Sequence, residues 1–238
     1  MALAVVSADR DQLKRAAALR AIEEVQDGMV VGLGTGSTAA QVVEELAARV
    51  AVGLRVVGIP TSERTAAQAC GLGIPIATLA GHQRLDLTID GADEVQLGTL
   101  DLIKGLGGAL LREKIVAAAS DRLVIVVDQE KLVEQLGEHT PIPVEVTQFG
   151  WQATAVALAK LGCVPARRYT VNEQPYVTDG GNFILDCRFG PLADPGITEQ
   201  QLAMTVGTVE NGLFIGRTSV VVVASETGVE VLVPPARK

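Results

Sequence analysis

Aromatic side chains are scarce in this sequence and make up only 3% of its 238 residues. Apolar residues still account for 48% and charged residues for 20%, as in folded globular proteins and unlike disordered chains. Alanine, valine, leucine and glycine are the commonest residue types. This composition predicts helices that pack against a buried sheet, with glycines where two backbones come close.

Long runs of basic residues are also absent, and the net charge is −8. Binding to nucleic acids depends on a basic surface that neutralises phosphates, so this charge balance argues against a nucleic-acid partner. An anionic small molecule remains compatible with the composition, provided that a local basic pocket lies within the acidic body.

The three cysteines, Cys70, Cys163 and Cys187, are far apart and include no C-x-x-C pair. An odd number at such spacing favours reduced, mostly buried thiols in a reducing compartment. The first ten residues, M-A-L-A-V-V-S-A-D-R, contain a short apolar run that no basic segment precedes, and this run is shorter than a signal peptide or a bilayer span. We therefore expect a soluble, cytoplasmic protein without a membrane partner.

The first 128 residues alternate between helix and strand patterns. A helix is predicted over 9–27, ended by Gly28, and another begins near residue 61 with Thr61 or Ser62 as its N-cap. The other predicted elements are strands at 29–33, 55–59, 85–90 and 122–128 and helices at 39–50 and about 107–120. Such alternation with short connections predicts a parallel sheet covered by helices.

The pattern changes after about residue 138. A strand-like P-I-P-V-E-V, a helix at 151–162, a hairpin signal at Asp179–Asn182 and a helix near 197–206 predict a small α+β unit. Apolar strands over 219–233 are expected to rejoin the large sheet. The predicted domains are therefore residues 1–138 with 208–238, and residues 139–207.

Three loops occupy the strand ends where open α/β sheets bind ligands. The first, G-L-G-T-G-S-T at Gly32–Thr38, is either a tight turn before a helix or a cradle of backbone N–H groups for an anion or hydroxyl. A dinucleotide is disfavoured, because the spacing is G-x-G-x-G and the second strand ends in I-P-T without the acidic residue that a ribose requires.

The second loop is L-T-I-D-G-A-D-E-V, in which Asp90 ends a strand and the following Gly-Ala lets Asp93 share its crevice. It is an Asx-turn with a solvated acidic rim, a carboxylate pair that holds two protonation states for acid–base catalysis, or a divalent metal site. The metal is the weakest of these interpretations, because the chain has only two histidines, His82 and His139.

The third loop, K-G-L-G-G-A-L-L-R-E-K at Lys104–Lys114, leads into a helix that is apolar nearly all round and therefore mostly buried. Glu113 lies within this helix. It forms a surface salt bridge with Arg112 or Lys114, or else it faces inward. In the second case desolvation is expected to raise its pKa toward neutrality, where a carboxylate is an effective general base.

These segments together resemble one family. G-L-G-T-G-S-T-A, T-S-E-R-T, D-G-A-D-E-V, K-G-L-G-G-A-L-L-R-E-K and P-V-E-V, in this order, are similar to type A ribose-5-phosphate isomerases. The resemblance implies a Rossmann-like parallel-sheet domain with a small ferredoxin-like α+β domain. It also implies interconversion of ribose 5-phosphate and ribulose 5-phosphate in the pentose phosphate pathway, without a metal or organic cofactor, by a homodimer or homotetramer.

The resemblance also assigns residues. Glu113 matches the base that moves the proton between C2 and C1, Lys104 the catalytic lysine, and Asp90 and Asp93 the paired carboxylates, whose mutual repulsion the lysine would offset. Expected contacts to the sugar phosphate are Gly34, Thr35, Gly36, Ser37, Thr38, Gly107, Gly108, Lys14 and Lys131. Glu130 departs from the family pattern, which often has serine before the lysine, and would disfavour a phosphate unless it points away.

Two other classes of function share parts of this pattern. A sugar-phosphate sensor domain of a transcription regulator would need a helix-turn-helix, for which neither the length nor the acidic balance leaves room. A coenzyme A transferase or an amino-sugar phosphate deaminase could use a related scaffold. The first would form an acyl-glutamyl intermediate, and the second would release ammonia.

Overall fold

The computed structural model describes the backbone of residues 2–235 and the side chains of residues 11–235. Residue 1 and residues 236–238, which were predicted to be part of the larger domain, lie outside the described residues. Between residues 2 and 235, no helix combines the length and the apolar content that crossing a bilayer would require.

Six helices and fourteen strands form the described part of the chain. The helices are α1 Ala2–Ile22, α2 Ser37–Ala51, α3 Glu63–Gly71, α4 Leu110–Ala118, α5 Trp151–Ala159 and α6 Pro195–Ala203. The strands are β1 Val30–Leu33, β2 Val57–Pro60, β3 Leu87–Asp90, β4 Glu94–Gln96, β5 Leu102–Ile103, β6 Leu123–Asp128, β7 Leu132–Val133, β8 Ile142–Val146, β9 Val164–Arg167, β10 Phe183–Arg188, β11 Thr208–Asn211, β12 Leu213–Phe214, β13 Val220–Ser225 and β14 Gly228–Leu232. A 3₁₀ turn at Gln129–Lys131 follows β6.

The first of two compact units contains the described residues up to Ala92, Arg112–Lys131 and the described residues from Arg217 onward. Its six-stranded sheet has the order β14-β13-β6-β3-β1-β2, and all neighbours are parallel except β14, which runs antiparallel to β13 at the edge. Every residue of β6 is buried, as expected for an interior parallel strand with both faces covered. The predicted helix-covered parallel sheet is confirmed.

Two helix ends test the local predictions in this unit. Helix α1 ends at Ile22 and not at residue 27, because the chain tightens into i→i−3 bonds from Glu23 to Arg20, Glu24 to Ala21 and Val25 to Ile22. At the start of α3, Ser62 is the N-cap, since its hydroxyl accepts a hydrogen bond from the Thr65 N–H at 3.1 Å.

The second compact unit contains Asp93–Leu111 and Leu132–Gly216. Within it, β8, α5, β9, β10, α6 and β11 follow one another, and the antiparallel sheet has the order β11-β8-β10-β9. This succession and strand order are those of the ferredoxin-like fold, which confirms the predicted small α+β part. The turn at Asp179–Asn182 is present, with Gly181 at φ +79°. The strand that follows this turn is β10, which pairs with β9 and β8.

A third sheet, with the order β12-β5-β4-β7, was not predicted. Its strands have only two or three residues each, which is too short for a period-2 pattern to be recognised. Because these strands pair with one another, residues 93–111, 132–138 and 208–216 belong to the second compact unit, whereas all three segments were predicted to lie in the first domain. The bounds of the domains stay a prediction.

Candidate active site

The loop after β1 lies directly against the end of β3. A Cβ added at Gly34 would lie 2.2 Å from Asp90 Oδ1 and 2.6 Å from the Asp90 Cα, so only glycine permits this approach. Gly36, at φ +124°, then turns the chain into α2, which begins at Ser37. This loop, which was predicted to be either a tight turn or a cradle for an anion or hydroxyl, is therefore held at the carboxyl edge of the parallel sheet.

Thr35 is the buried centre of a cluster of hydroxyl groups. Its Oγ1 lies 2.7 Å from Thr61 Oγ1, 2.8 Å from Ser62 Oγ and 3.1 Å from Thr65 Oγ1. Thr65 in turn donates to the Gly34 carbonyl at 3.0 Å. The T-S-E-R-T segment was recognised as a motif in the sequence, but this supporting role was missed, although the spacing of its three hydroxyl residues was an available signal.

Asp90 is 1% exposed, so the interpretation as a solvated acidic rim is wrong for this residue. Its Oδ1 accepts hydrogen bonds from the Gly91 N–H at 2.7 Å and the Thr35 N–H at 3.2 Å. The carboxylate is thereby oriented by two backbone donors, one from its own turn and one from the glycine loop.

Glu113 faces inward from α4 and is 2% exposed. The alternative of a surface salt bridge with Arg112 or Lys114 is wrong, because the Glu113 side chain is not at the surface. Arg112 Nη1 donates to Glu63 Oε1 at 2.7 Å. Val116 lies one turn after Glu113, and its Cγ1 would be 2.7 Å from a Cβ at Gly32 of β1. Since residues three apart share a helix face, Glu113 is on the face of α4 that packs against the sheet.

The two predicted phosphate partners belong to the first unit. Lys14 is on α1, with its side chain 18% exposed and its Nζ 3.7 Å from Asp11 Oδ1. Lys131 is half-buried and ends the 3₁₀ turn after β6. Glu130 is exposed, and its N–H donates to Asp128 Oδ1 at 3.1 Å.

The remaining predicted site residues belong to the second unit. Asp93 is half-buried, and its Oδ2 accepts a hydrogen bond from the Leu106 N–H at 2.8 Å. Lys104 is 2% exposed, and its Nζ lies 5.5 Å from the centre of the buried Phe214 ring, within range of a cation–π contact. Gly107 is exposed, whereas Gly108 is buried at φ +84°.

Glu94, the third carboxylate of the acidic stretch, has a structural role. Its two oxygens accept hydrogen bonds from three backbone N–H groups, those of Gly137 at 2.6 Å, His139 at 2.8 Å and Thr140 at 2.6 Å. It therefore fixes the loop that leads into β8. Among the described residues, no three His, Cys, Asp or Glu side chains are grouped as metal ligands would be.

Known proteins of one family resemble this chain over most of its length. The family model of ribose 5-phosphate isomerase A (phosphoriboisomerase A) matches residues 57–228. A ribose-5-phosphate isomerase A from Gloeobacter violaceus is 64% identical over 228 residues, which cover 96% of this chain and 99% of the relative. The solved ribose 5-phosphate isomerase A of Methanocaldococcus jannaschii has a TM-score of 0.90 and 41% identity, over 93% of this chain and 98% of that one.

A further solved D-ribose-5-phosphate isomerase, in complex with phospho-erythronic acid, has a TM-score of 0.91 and 37% identity, over 94% of this chain and 99% of that one. The family match includes Asp90, Asp93, Lys104 and Glu113. The resemblance that the sequence motifs indicated is thereby confirmed. This chain belongs to the ribose 5-phosphate isomerase A family.

Proposed function

We propose that this chain interconverts D-ribose 5-phosphate and D-ribulose 5-phosphate through a cis-enediol intermediate. Membership of the family supports the reaction, and a relative that binds phospho-erythronic acid supports the substrate class. The carboxylate of that compound is planar and anionic, as the enediolate would be, and tight binding of such compounds is expected of an active site.

The burial of Glu113 is the observation that carries the proposal. A glutamate that is 2% exposed is rare unless it is paired or functional, because burial disfavours its charged form. Glu113 takes the proton from C2 of the open-chain aldose and returns it to C1 of the enediol. Both carbons present the proton on one face of a cis-enediol, so a single carboxylate serves both steps.

The other catalytic roles in this proposal are assigned from the charges of the Asp90, Asp93 and Lys104 side chains. Asp90 accepts and returns the hydroxyl proton when the sugar ring opens, and it transfers the proton that is exchanged between O1 and O2. Lys104 places its ammonium group at the oxygen that becomes negative in the enediolate, and Asp93 orients the sugar. Each positioned acid or base contributes typically about 10²–10⁴-fold, and a charged donor at the developing oxyanion contributes a similar factor.

The glycine loop and two lysines bind the phosphate in this proposal. The first residues of α2, Ser37 and Thr38, offer N–H groups at a helix N-terminus, where anions are favoured. Gly34, Thr35 and Gly36 shape this loop, and Lys14 and Lys131 supply positive charge. Lys14→Ala and Lys131→Ala are expected chiefly to raise KM, and unchanged KM values in both variants would show that the phosphate binds elsewhere.

The decisive experiment mixes purified protein with ribose 5-phosphate in the presence of a chelator and follows formation of the ketose. We expect turnover that the chelator leaves unchanged, because the proposed mechanism uses no metal or organic cofactor. Absence of ketose would refute the function. Turnover that disappears with the chelator and returns with added metal would refute the metal-free mechanism alone.

A matched pair of variants tests the base. Glu113→Gln is expected to lower kcat by about 10²–10⁴-fold while it still binds phospho-erythronic acid in a calorimeter. Glu44→Gln is the control, because Glu44 is an exposed glutamate on α2. If Glu113→Gln turns over at the rate of the control, Glu113 is not the base.

We also propose that the protein is cytoplasmic and assembles as a homodimer or homotetramer, as the family resemblance suggests. Light scattering on the purified chain distinguishes these two assemblies, and a monomeric mass would contradict both.

A further inference from the structure

A glycine turn, the segment of residues 105–108, connects Lys104 to α4. Gly105 and Gly108 have φ of +109° and +84°, and the Gly108 N–H donates to the Gly105 carbonyl at 2.9 Å. Glycine adopts positive φ values without strain, whereas other residues at these two positions would be strained. Its peptide groups follow the proposed catalytic lysine directly, so their orientation bears on the proposed reaction.

Arg168 holds two carbonyls of the glycine turn at once. Its Nη1 donates to the Gly105 carbonyl and to the Leu106 carbonyl, each at 3.0 Å. Its Nε donates to Asp186 Oδ2 at 2.9 Å, and its Nη2 donates to Asp186 Oδ1. The side chains of Arg168 and Asp186 are only 12% and 23% exposed, so this fork is partly shielded from water.

Asp93 and Tyr176 also contact the glycine turn. Asp93 Oδ2 accepts the Leu106 N–H at 2.8 Å. The Tyr176 hydroxyl would lie 2.0 Å from a Cβ at Gly108, and the Arg168 guanidinium lies 5.8 Å from the centre of the Tyr176 ring. The turn is therefore enclosed by a carboxylate, an aromatic ring and a guanidinium.

We propose that Arg168, oriented by Asp186, is a positioning residue that fixes and polarises the two peptide groups of the glycine turn. The Gly105 carbonyl shares a peptide group with the Leu106 N–H, which donates to Asp93. The Leu106 carbonyl shares one with the N–H of the exposed Gly107, a residue that the family resemblance assigns to the sugar phosphate. When the guanidinium donates to a carbonyl, the N–H of the same peptide group becomes a stronger donor, because hydrogen bonds in a chain polarise one another.

This inference rests on the proposed function, in which Asp93 orients the sugar, and on the expected contact between Gly107 and the sugar phosphate. A lysine at position 168 would keep the charge but lose the planar fork, so it could not serve Asp186 and two carbonyls together. Arg168→Lys therefore separates geometry from charge, and Arg168→Met removes both.

The test measures kcat and KM for ribose 5-phosphate, together with calorimetric binding of phospho-erythronic acid. Loss of a donor at an oxyanion costs about 10²–10³-fold, and a residue acting one peptide group away should cost less, about 10–100-fold in kcat for Arg168→Met. KM should change little, and the analogue should bind more weakly. Asp186→Asn should give a smaller loss of the same kind, because the guanidinium remains.

Arg167→Met is the matched control. Arg167 is the adjacent arginine, also half-buried, but its guanidinium lies 4.4 Å from the Trp151 ring and donates to the Tyr169 hydroxyl. A purely structural role would lower the melting temperature of the Arg168 variants without separating kcat from KM. If Arg168→Met does not fold, the kcat values of Arg168→Lys and Asp186→Asn decide between a positioning role and a purely structural role.

The outcomes separate the two ideas. An inactive wild-type protein refutes the proposed function. An active wild type with Arg168→Lys and Asp186→Asn at wild-type kcat overturns the positioning role alone. A selective loss of kcat in these variants, with Arg167→Met unaffected, establishes it.

Discussion

Replacement of Gly34 by alanine tests how closely the glycine loop approaches Asp90. The added Cβ would lie 2.2 Å from Asp90 Oδ1, 2.4 Å from its Cγ and 2.6 Å from its Cα. Carbon atoms in contact are normally about 3.5–4.0 Å apart, so the overlap with the Cα is about 1 Å. A change of side-chain rotamer cannot relieve it, because the Cα belongs to the end of buried strand β3.

The expected magnitude follows from this overlap. Overpacking of a buried site costs typically about 1–3 kcal/mol in the free energy of unfolding. For a chain of this size about 1 kcal/mol corresponds to about 2–4 °C, so the melting temperature should fall by about 2–12 °C. The loop and Asp90 must also separate by about 1 Å, and a misplacement of that size in an active site can lower kcat by about 10²-fold.

Gly71→Ala provides the control for Gly34→Ala. Gly71 is the last residue of α3, and a Cβ added there would meet no heavy atom within 4 Å. Alanine is favoured over glycine in helices by up to about 1 kcal/mol, so this variant should be as stable as the wild type or more stable. Circular dichroism on heating and the ketose assay measure both quantities. A Gly34→Ala protein with the melting temperature and kcat of Gly71→Ala would refute the close approach.

Three further predictions concern other parts of the chain. Glu94→Gln should lower the free energy of unfolding by about 2–5 kcal/mol in urea titrations, because one amide oxygen cannot serve the three N–H groups of the 137–140 loop, and an unchanged midpoint would contradict this role. The guanidinium of Arg122 holds the pKa of Glu24 below its ordinary value, so this carboxylate stabilises the fold above about pH 4.3 and the contribution is lost as the pH falls through the lowered pKa. Glu24→Gln should therefore lower the melting temperature at pH 7 and lose this effect in strong acid, and an equal effect at both pH values would refute the pairing. A thiol reagent should modify one cysteine, the exposed Cys70, in the folded protein and all three after denaturation, whereas three fast-reacting thiols in the folded state would contradict the burial of the other two.

The parallel sheet could be predicted because its signal is local. Strand β6 reads L-V-I-V-V-D, a continuous apolar run, and β1 and β2 are each followed by a helix after a short loop. A continuous apolar run indicates a strand that is buried on both faces of the sheet, and such a run can be recognised in the sequence itself. The ends of elements were less predictable: α1 ends before the last residues of its apolar pattern, because the chain there changes to i→i−3 bonding and Gly28 turns toward β1.

The sheet of β4, β5, β7 and β12 could not be predicted for a different reason. Its pairs join residues that are far apart in sequence, such as Val95 with Leu132 and Leu213 with Ile103. Strands of two or three residues have no periodicity, so their pairing is decided by tertiary contacts alone. The same limit applies to Arg168, whose two bonds to the glycine turn span more than sixty positions of sequence.

The acidic stretch of Asp90, Asp93 and Glu94 shows what spacing can predict and what it cannot. Spacing predicts repulsion among three close carboxylates, and a lysine was expected to offset it. In the structure, each carboxylate also has backbone N–H donors of its own: the glycine loop and Gly91 for Asp90, Leu106 for Asp93, and the 137–140 loop for Glu94. Charge-assisted bonds to fixed backbone donors are stronger than neutral ones, and they hold each group in its own direction. Adjacent carboxylates can therefore serve different purposes, because the backbone donors that hold them are distant in sequence: Glu94 holds a loop of the fold, and we propose that Asp90 and Asp93 act on the substrate.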